Sequence, residues 1–177
     1  MQKHQKFEEI KKEYELFYKS LLNQGKLTHR DTEVGIWGIS VSEYLYDFFK
    51  KINLNKYKNF IDLGSGDGKV VLIASLFTKA TGIEYDKELI NQGKKIKNKL
   101  KIKADFIQGD FLKQDLTKYD IIFINPDKGF DEGTETKLLK ELKNKLIVYN
   151  FIFHPRFLKK GKTEWYENTP IIFYTKE

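Results

Sequence analysis

Apolar side chains in the first third of the chain recur at helical spacing. Over residues 4–22 they fall every three or four positions, at Phe7, Ile10, Tyr14, Phe17, Tyr18 and Leu21. This spacing predicts a helix with one buried face, which Gln24-Gly25 ends. After a polar loop, a second run of the same kind predicts a helix from about Ser42 to Lys51. Residues 1–55 are therefore predicted to form an N-terminal helical cap.

The remainder of the chain, residues 56–177, alternates short apolar runs with helical patterns. Strands are predicted at 60–63, 80–86, 104–111, 119–127, 145–150, 163–167 and 171–175. Helical patterns separate the early runs, and a later helix is predicted from about Thr134 to Leu142. The last two runs flank the turn signal at 167–170 and indicate an antiparallel hairpin. This order predicts an α/β fold with a mixed sheet.

The first of these strands runs into three alternating glycines within Gly64–Gly68 and then into a helical pattern. Glycines permit positive φ and leave no Cβ, and the helix that follows directs free N–H groups at the turn. A nucleotide-type binding loop is indicated. The dinucleotide fingerprint is absent because Lys69 occupies the third glycine position, and the P-loop is absent because Leu63 and Val70 stand at two required positions.

With Asp62 at the strand end before it, this G-x-G-x-G loop resembles the first motif of class I S-adenosylmethionine-dependent methyltransferases, a resemblance that extends over residues 57–130. The resemblance implies a three-layer, Rossmann-like sandwich with a mixed seven-stranded sheet and S-adenosyl-L-methionine as cofactor. The alternative for the loop alone is a glycine-rich turn of no special purpose.

Three further strand ends carry candidate ligands. Glu84 lies where a doubly wound sheet places a carboxylate against ribose hydroxyls. In the resembled family an acidic residue and an apolar neighbour at the next strand end receive the adenine, which implies these roles for Asp110 and Phe111. Asn125 offers both an acceptor and a donor to an incoming amine or to the methionine portion of the cofactor. Taken one at a time, these residues also have explanations that involve no ligand. Glu84 could be a solvated strand end, Asp110 a turn residue, and Asn125-Pro126 a strand terminator.

The sequence therefore predicts a defined set of site residues. The predicted catalytic residue is Asn125, and the predicted cofactor-binding residues are Asp62, Gly64, Ser65, Gly66, Gly68, Glu84, Tyr85, Asp110, Phe111 and Asn125. No metal site is predicted, because the chain has no cysteine and its three histidines are far apart in sequence. His154 either faces the acceptor pocket or is a turn residue before proline.

The methyl acceptor is less defined by the sequence. Asn125-Pro126 resembles the start of the Asn-Pro-Pro-aromatic motif of amino-group methyltransferases, but Asp127 and Lys128 replace its last two residues, and Phe130 falls two residues late. Asp127 is instead expected to attract a cationic side chain. The size and closing strands are similar to those of small archaeal protein lysine methyltransferases, which implies a protein lysine acceptor.

Alternatives to that function stay open at this point. They are methylation of RNA or of a small-molecule amine, and a non-catalytic binding module built on the cofactor fold. Trp37 and Tyr44 are candidates for a lid over the cofactor, with ordinary aromatic core as the alternative.

Composition adjusts this picture only slightly. The 177 residues carry a formal charge of +7, but only Arg30 and Arg156 are arginine, so lysine-rich helix faces account for the charge and RNA is the minor alternative. No apolar run is long enough to span a membrane, and no signal-peptide pattern opens the chain. One domain in the cytoplasm is expected, and the oligomeric state is not predicted.

Overall fold

The computed structural model describes residues 2–150 and 152–176, apart from the side chain of Glu132. The helices are α1 (Gln2–Asn23), α2 (Ser42–Lys51), α3 (Lys69–Ala74), α4 (Lys87–Lys99) and α5 (Glu132–Glu141). The strands are β1 (His29–Asp31), β2 (Ile36–Gly38), β3 (Asn59–Leu63), β4 (Lys79–Glu84), β5 (Asp105–Gln108), β6 (Ile121–Ile124), β7 (Lys145–Tyr149), β8 (Lys159–Tyr166) and β9 (Thr169–Thr175). Short 3₁₀ turns occupy Leu54–Lys56 and Phe111–Lys113.

Seven strands form one mixed sheet in the order β5-β4-β3-β6-β7-β9-β8, and β1 and β2 form a separate antiparallel hairpin. Strands β3 to β7 run parallel, whereas β9 is antiparallel to both β7 and β8. From β3 the chain moves outward through β4 to β5 and then returns to the other side of β3 as β6. This reversal places a topological switch point, where open α/β sheets bind ligands, beside the carboxyl end of β3.

The central strands are buried on both faces, so their residues alternate between two cores. Phe60 and Phe123 point to a core shared with α1, α2 and α3, while Ile61 and Ile122 point to a core shared with α5. The first core is rich in aromatic rings, with Phe49 packing edge-on against Phe60. This three-layer arrangement confirms the predicted α/β sandwich with its mixed seven-stranded, Rossmann-like sheet and N-terminal helix.

Most element boundaries agree with the sequence pattern, and the differences have local causes. The third and fourth sheet strands are shorter than predicted, because Asp110 caps a 3₁₀ turn and Asn125-Pro126 leaves the ladder. The prediction of a plain loop before α2 was wrong in part, since residues 29–38 contain the β1–β2 hairpin. Strand β8 begins at Lys159, four residues before the predicted start at 163, because this mostly exposed edge strand lacks an apolar pattern. Among the described residues, no helix has both the length and the apolar character that crossing a membrane requires.

Candidate active site

A cavity of about 340 Å³ opens at the carboxyl ends of β3, β4 and β6 and is bordered by the loop after β5. Its size falls at the lower end of the usual range for small-molecule sites. Six of the predicted site residues line it, namely Gly64, Glu84, Tyr85, Asp110, Phe111 and Asn125. A smaller cavity of about 50 Å³ adjoins it through Gly64 and Asn125 and is lined by Asp62 and Ser65. The sheet therefore gathers residues that are distant in sequence at one edge.

The glycine loop depends on the absence of side chains at two positions. Gly66 has φ +53°, and a Cβ there would lie 2.7 Å from Cδ1 of Trp37. Gly68 has φ +81°, and a Cβ there would lie 2.7 Å from Cζ of Phe106. Neither glycine lines the two cavities; both instead let the loop pack closely against neighbouring rings. These glycines thus shape the loop that Gly64 presents to the larger cavity.

Glu84 holds the glycine loop through its carboxylate. Its Oε2 accepts a hydrogen bond from the backbone N–H of Gly66 at 2.7 Å, and its Oε1 accepts one from the N–H of Asp86 at 2.8 Å. The side chain is buried, and burial raises the pKa of Glu84 in spite of these hydrogen bonds. One carboxylate oxygen can accept more than one hydrogen bond, so Glu84 retains acceptor capacity toward the cavity that it lines.

Buried carboxylates are concentrated around the smaller cavity. Burial raises the pKa of Asp62 well above its usual value, and the nearby charges of Glu84 and Asp67 raise it further. Burial also raises the pKa of Asp67, against the opposing effect of Lys69. Ser65 contributes a buried hydroxyl Oγ with no hydrogen-bond partner among the described residues. A ligand group with hydrogen-bonding capacity would satisfy this polar lining, since unpaired buried polar atoms are costly.

The loop after β5 presents a carboxylate and a ring. Oδ1 of Asp110 accepts a hydrogen bond from the N–H of Leu112 at 2.8 Å, which caps the 3₁₀ turn and orients the side chain. Phe111 is half-buried and lines the larger cavity. Tyr85 is 40% exposed at the rim, where its hydroxyl donates to Glu33 at 3.3 Å. The three side chains form one wall of the cavity.

Asn125 is positioned by a residue that the sequence did not single out. Nδ2 of Asn150, at the end of β7, donates to the carbonyl oxygen of Pro126 at 2.6 Å and lies 3.4 Å from Oδ1 of Asn125. This contact fixes the backbone immediately after Asn125 and engages its side-chain carbonyl. Only the position of Asn150, as the last residue of the strand predicted at 145–150, could have indicated this role.

A buried network behind the glycine loop was also missed. The hydroxyl of Tyr18 donates to Oδ2 of Asp67 at 2.7 Å, and the hydroxyl of Tyr14 donates to the backbone oxygen of Asp67 at 2.8 Å. Nζ of Lys69 donates to the backbone oxygen of Ser40 and lies 4.8 Å from the ring centroid of Tyr18. The network joins α1 and the segment before α2 to the glycine loop. Tyr14 and Tyr18 belong to the apolar pattern of α1, and Asp67 and Lys69 lie in or beside the glycine loop, so the sequence gave no sign of their pairing.

The two lid candidates have different environments. Trp37 is buried, lines both cavities and packs against Gly66, so it is at once a core residue and a wall of the site. Tyr44 lines neither cavity and packs against Tyr166 of β8, with ring centroids 5.6 Å apart. The structure therefore gives no support to Tyr44 as a lid residue.

Three residues that the sequence associated with the acceptor end lie in different environments. Oδ2 of Asp127 accepts a hydrogen bond from the backbone N–H of Ile36, and the attraction of a cationic side chain by this carboxylate stays a prediction. Phe130, which falls two residues late for the motif, is buried in the core beside α5 and also lines the larger cavity. His154 does not line the larger cavity, and its Nδ1 lies 3.0 Å from the hydroxyl of Tyr174. Within residues 2–150 and 152–176, no group of three or more His, Cys, Asp or Glu side chains is arranged to hold a metal.

Comparison with known proteins places this site in context. A sequence model described as a methyltransferase domain matches residues 54–163. An uncharacterized RNA methyltransferase of Mycoplasma mobile is 35% identical over 103 residues, which cover 55% of this chain and 28% of that protein. The chain thus spans less than a third of this relative.

Solved structures share the architecture at low sequence identity. An RNA methyltransferase from Salinibacter ruber, crystallised with S-adenosyl-L-homocysteine, superposes with a TM-score of 0.63 at 18% identity over 77% of this chain and 92% of that one. A putative methyltransferase from Escherichia coli gives 0.58 at 21% identity over 75% and 81% of the two chains. At these identities the likeness concerns the fold.

Proposed function

The chain belongs to the class I S-adenosylmethionine-dependent methyltransferases, and from this membership we propose that it transfers a methyl group from S-adenosyl-L-methionine to a nitrogen atom of RNA. The observation that carries the proposal is the cavity at the carboxyl ends of β3, β4 and β6, where Gly64, Glu84 and Asn125 meet.

The residues of the site fit this cofactor. Glu84 is oriented by two backbone N–H groups and is suited to accept from ribose hydroxyls, while Asp110 and Phe111 provide an acceptor and an apolar surface for the adenine. Asp62 and the unpaired Ser65 hydroxyl line the adjoining polar cavity, which suits the charged amino-acid end. When bound, the cofactor supplies a methyl group on a sulfonium, which a neutral nitrogen lone pair can attack directly.

The protein then has mainly to orient the two reactants, because in-line displacement needs little covalent assistance. We assign Asn125 the task of holding the acceptor nitrogen, through an amide that can both donate and accept. Asn150 restricts the conformation of Asn125, and Trp37 and Ile36 line both cavities where they adjoin.

RNA is favoured as acceptor by the similarity to the RNA methyltransferase of Mycoplasma mobile and is consistent with the formal charge of +7. Protein lysine, the acceptor predicted from the sequence, has no support from the relatives described above. It remains the second arm of the test, together with small-molecule amines. The match covers 28% of that relative, so we propose the RNA acceptor for the matched domain alone.

The test is methylation with cofactor labelled at the methyl group, with total RNA and total protein supplied in separate reactions. Label that ribonuclease releases, and that Asn125→Ala abolishes while exposed Asn98→Ala on α4 does not, would support the proposal. Label only in protein would overturn the RNA acceptor in favour of lysine. Absence of cofactor binding by calorimetry at millimolar ligand would reject the methyltransferase activity itself.

A further inference from the structure

The loop after β6 is joined to the tip of the β1–β2 hairpin by two consecutive residues. Oδ2 of Asp127 accepts a hydrogen bond from the backbone N–H of Ile36, and Nζ of Lys128 donates to the backbone oxygen of Val34 at 3.1 Å. These are the two positions at which the chain departs from the Asn-Pro-Pro-aromatic motif. Both substituted side chains therefore have a partner in the hairpin.

Gly35 makes this contact sterically feasible. A Cβ at Gly35 would lie 3.0 Å from Cγ of Asp127 and closer still to its carboxylate oxygen. The turn has hydrogen bonds of its own, since the N–H and the hydroxyl of Thr32 both donate to the backbone oxygen of Gly35, at 2.7 and 2.9 Å. The Asp127 carboxylate thus binds a turn in which the adjacent residue, Gly35, has no side chain to obstruct it.

The joined segments enclose the proposed cofactor cavity. Val34, Gly35 and Ile36 line it from the hairpin, and Asp127 and Lys128 line it from the loop after β6. The hairpin is also attached on the β4 side, where Arg30 forms an ion pair with Asp86 at 2.9 Å.

The hairpin therefore bridges the cavity from the end of β4 to the end of β6. Asn125 lies two residues before Asp127, so the loop that contacts the hairpin also carries Asn125.

We propose that Asp127 is a positioning residue that latches the hairpin over the cofactor and holds the Asn125 loop in its reactive position. The latch consists of Asp127, Gly35 and the N–H of Ile36. This inference rests on the proposed function, since the cavity is taken to hold S-adenosylmethionine. Asp127 itself is not assigned to touch the acceptor, because its carboxylate is engaged by the hairpin backbone.

The experiment compares Asp127→Ala, Asp127→Asn and Gly35→Ala with the exposed control Asp105→Ala. Hydrogen exchange of the Ile36 amide is measured without ligand, and S-adenosylhomocysteine dissociation is measured by stopped flow. Asp127→Ala is expected to accelerate both by about 10-fold, the size of one lost charge-assisted hydrogen bond. Asp127→Asn keeps an oxygen acceptor and should recover most of this loss, whereas Gly35→Ala should reproduce it.

Thermal unfolding within about 2 °C of the parent protein in Asp127→Asn would separate the latch from general destabilisation. Unchanged Ile36 exchange in Asp127→Ala would overturn the latch, as would equal effects of Asp127→Asn and Asp127→Ala. Failure of the unaltered protein to bind S-adenosylhomocysteine would instead count against the proposed function. The exchange measurement needs no ligand, so the two failures are distinguishable.

Discussion

At the scale of single residues, Glu84 couples the glycine loop to the proposed ribose site. Its two carboxylate oxygens accept from the N–H groups of Gly66 and Asp86, so an amide side chain would direct one NH₂ group at a backbone donor. We expect Glu84→Gln to weaken S-adenosylhomocysteine binding by about 10- to 100-fold, as for a lost hydrogen bond to a charged group. Titration calorimetry measures this, with the exposed Glu8→Gln as the matched control. Equal affinity in the two variants would remove Glu84 from the site.

Gly66 is the residue whose replacement should disturb the loop most. Gly66→Ala would combine a positive φ with a contact to Trp37, whereas Gly25→Ala places a Cβ at φ +70° with no atom within 4 Å. We expect about 1 kcal/mol of destabilisation for Gly25→Ala and about 3 kcal/mol for Gly66→Ala. Urea unfolding of both variants measures the difference. A similar loss in the two proteins would show that Trp37 can move aside at little cost.

At the scale of elements, α1 supports the glycine loop from behind through Tyr14 and Tyr18. Tyr18→Phe keeps the ring but removes a donor to the buried carboxylate of Asp67. We expect it to lower the free energy of unfolding by about 1.5–3 kcal/mol, the range for hydrogen bonds to charged groups. Chemical denaturation should show this loss, and the half-buried Tyr57→Phe at the other edge of the sheet should show much less. Equal losses would mean that α1 is held by apolar packing alone.

The elements also show where sequence patterns are informative. Apolar spacing identified α1, α2 and the central strands because each buries a periodic face in one of the two cores. The β1–β2 hairpin and the start of β8 lack such a face, since their residues are largely exposed. They are fixed instead by turn hydrogen bonds and by backbone pairing with the neighbouring strand of each hairpin, neither of which requires an apolar pattern.

At the scale of the whole molecule, the pKa values of buried carboxyl groups shift in opposite directions at the two ends of the parallel strands. At the cavity edge, burial raises the pKa of Asp62, Asp67 and Glu84. Each of these groups therefore lowers the free energy of unfolding as the pH rises from its unfolded pKa through its raised folded pKa. At the opposite edge, the hydrogen bond from Lys143 and two backbone N–H groups lower the pKa of Asp120. The distribution concentrates electrostatic cost where the ligand is proposed to bind.

Asp120 gives a test of this contrast. Its folded pKa lies below the unfolded value of about 4, so its stabilising contribution is present above that pH and is lost as the pH falls through the folded value. We expect Asp120→Asn to destabilise the protein by about 1–2 kcal/mol at neutral pH, and the difference to shrink below about pH 4. Urea midpoints at several pH values measure this, with Asp105→Asn as control. A pH-independent difference would contradict the assigned pKa direction.

The sequence by itself determined the α/β fold, the glycine loop and the strand ends that carry Glu84, Asp110 and Asn125. These follow from local properties, namely apolar periodicity, glycine spacing and the rule that parallel strands bring their carboxyl ends to one edge. Only the tertiary structure decided that Trp37 lines the site and Tyr44 does not, that Asn150 fixes Asn125, and that Asp127 binds the backbone of the hairpin. Each of these joins residues that are far apart in sequence, and such contacts depend on packing geometry rather than on any local pattern.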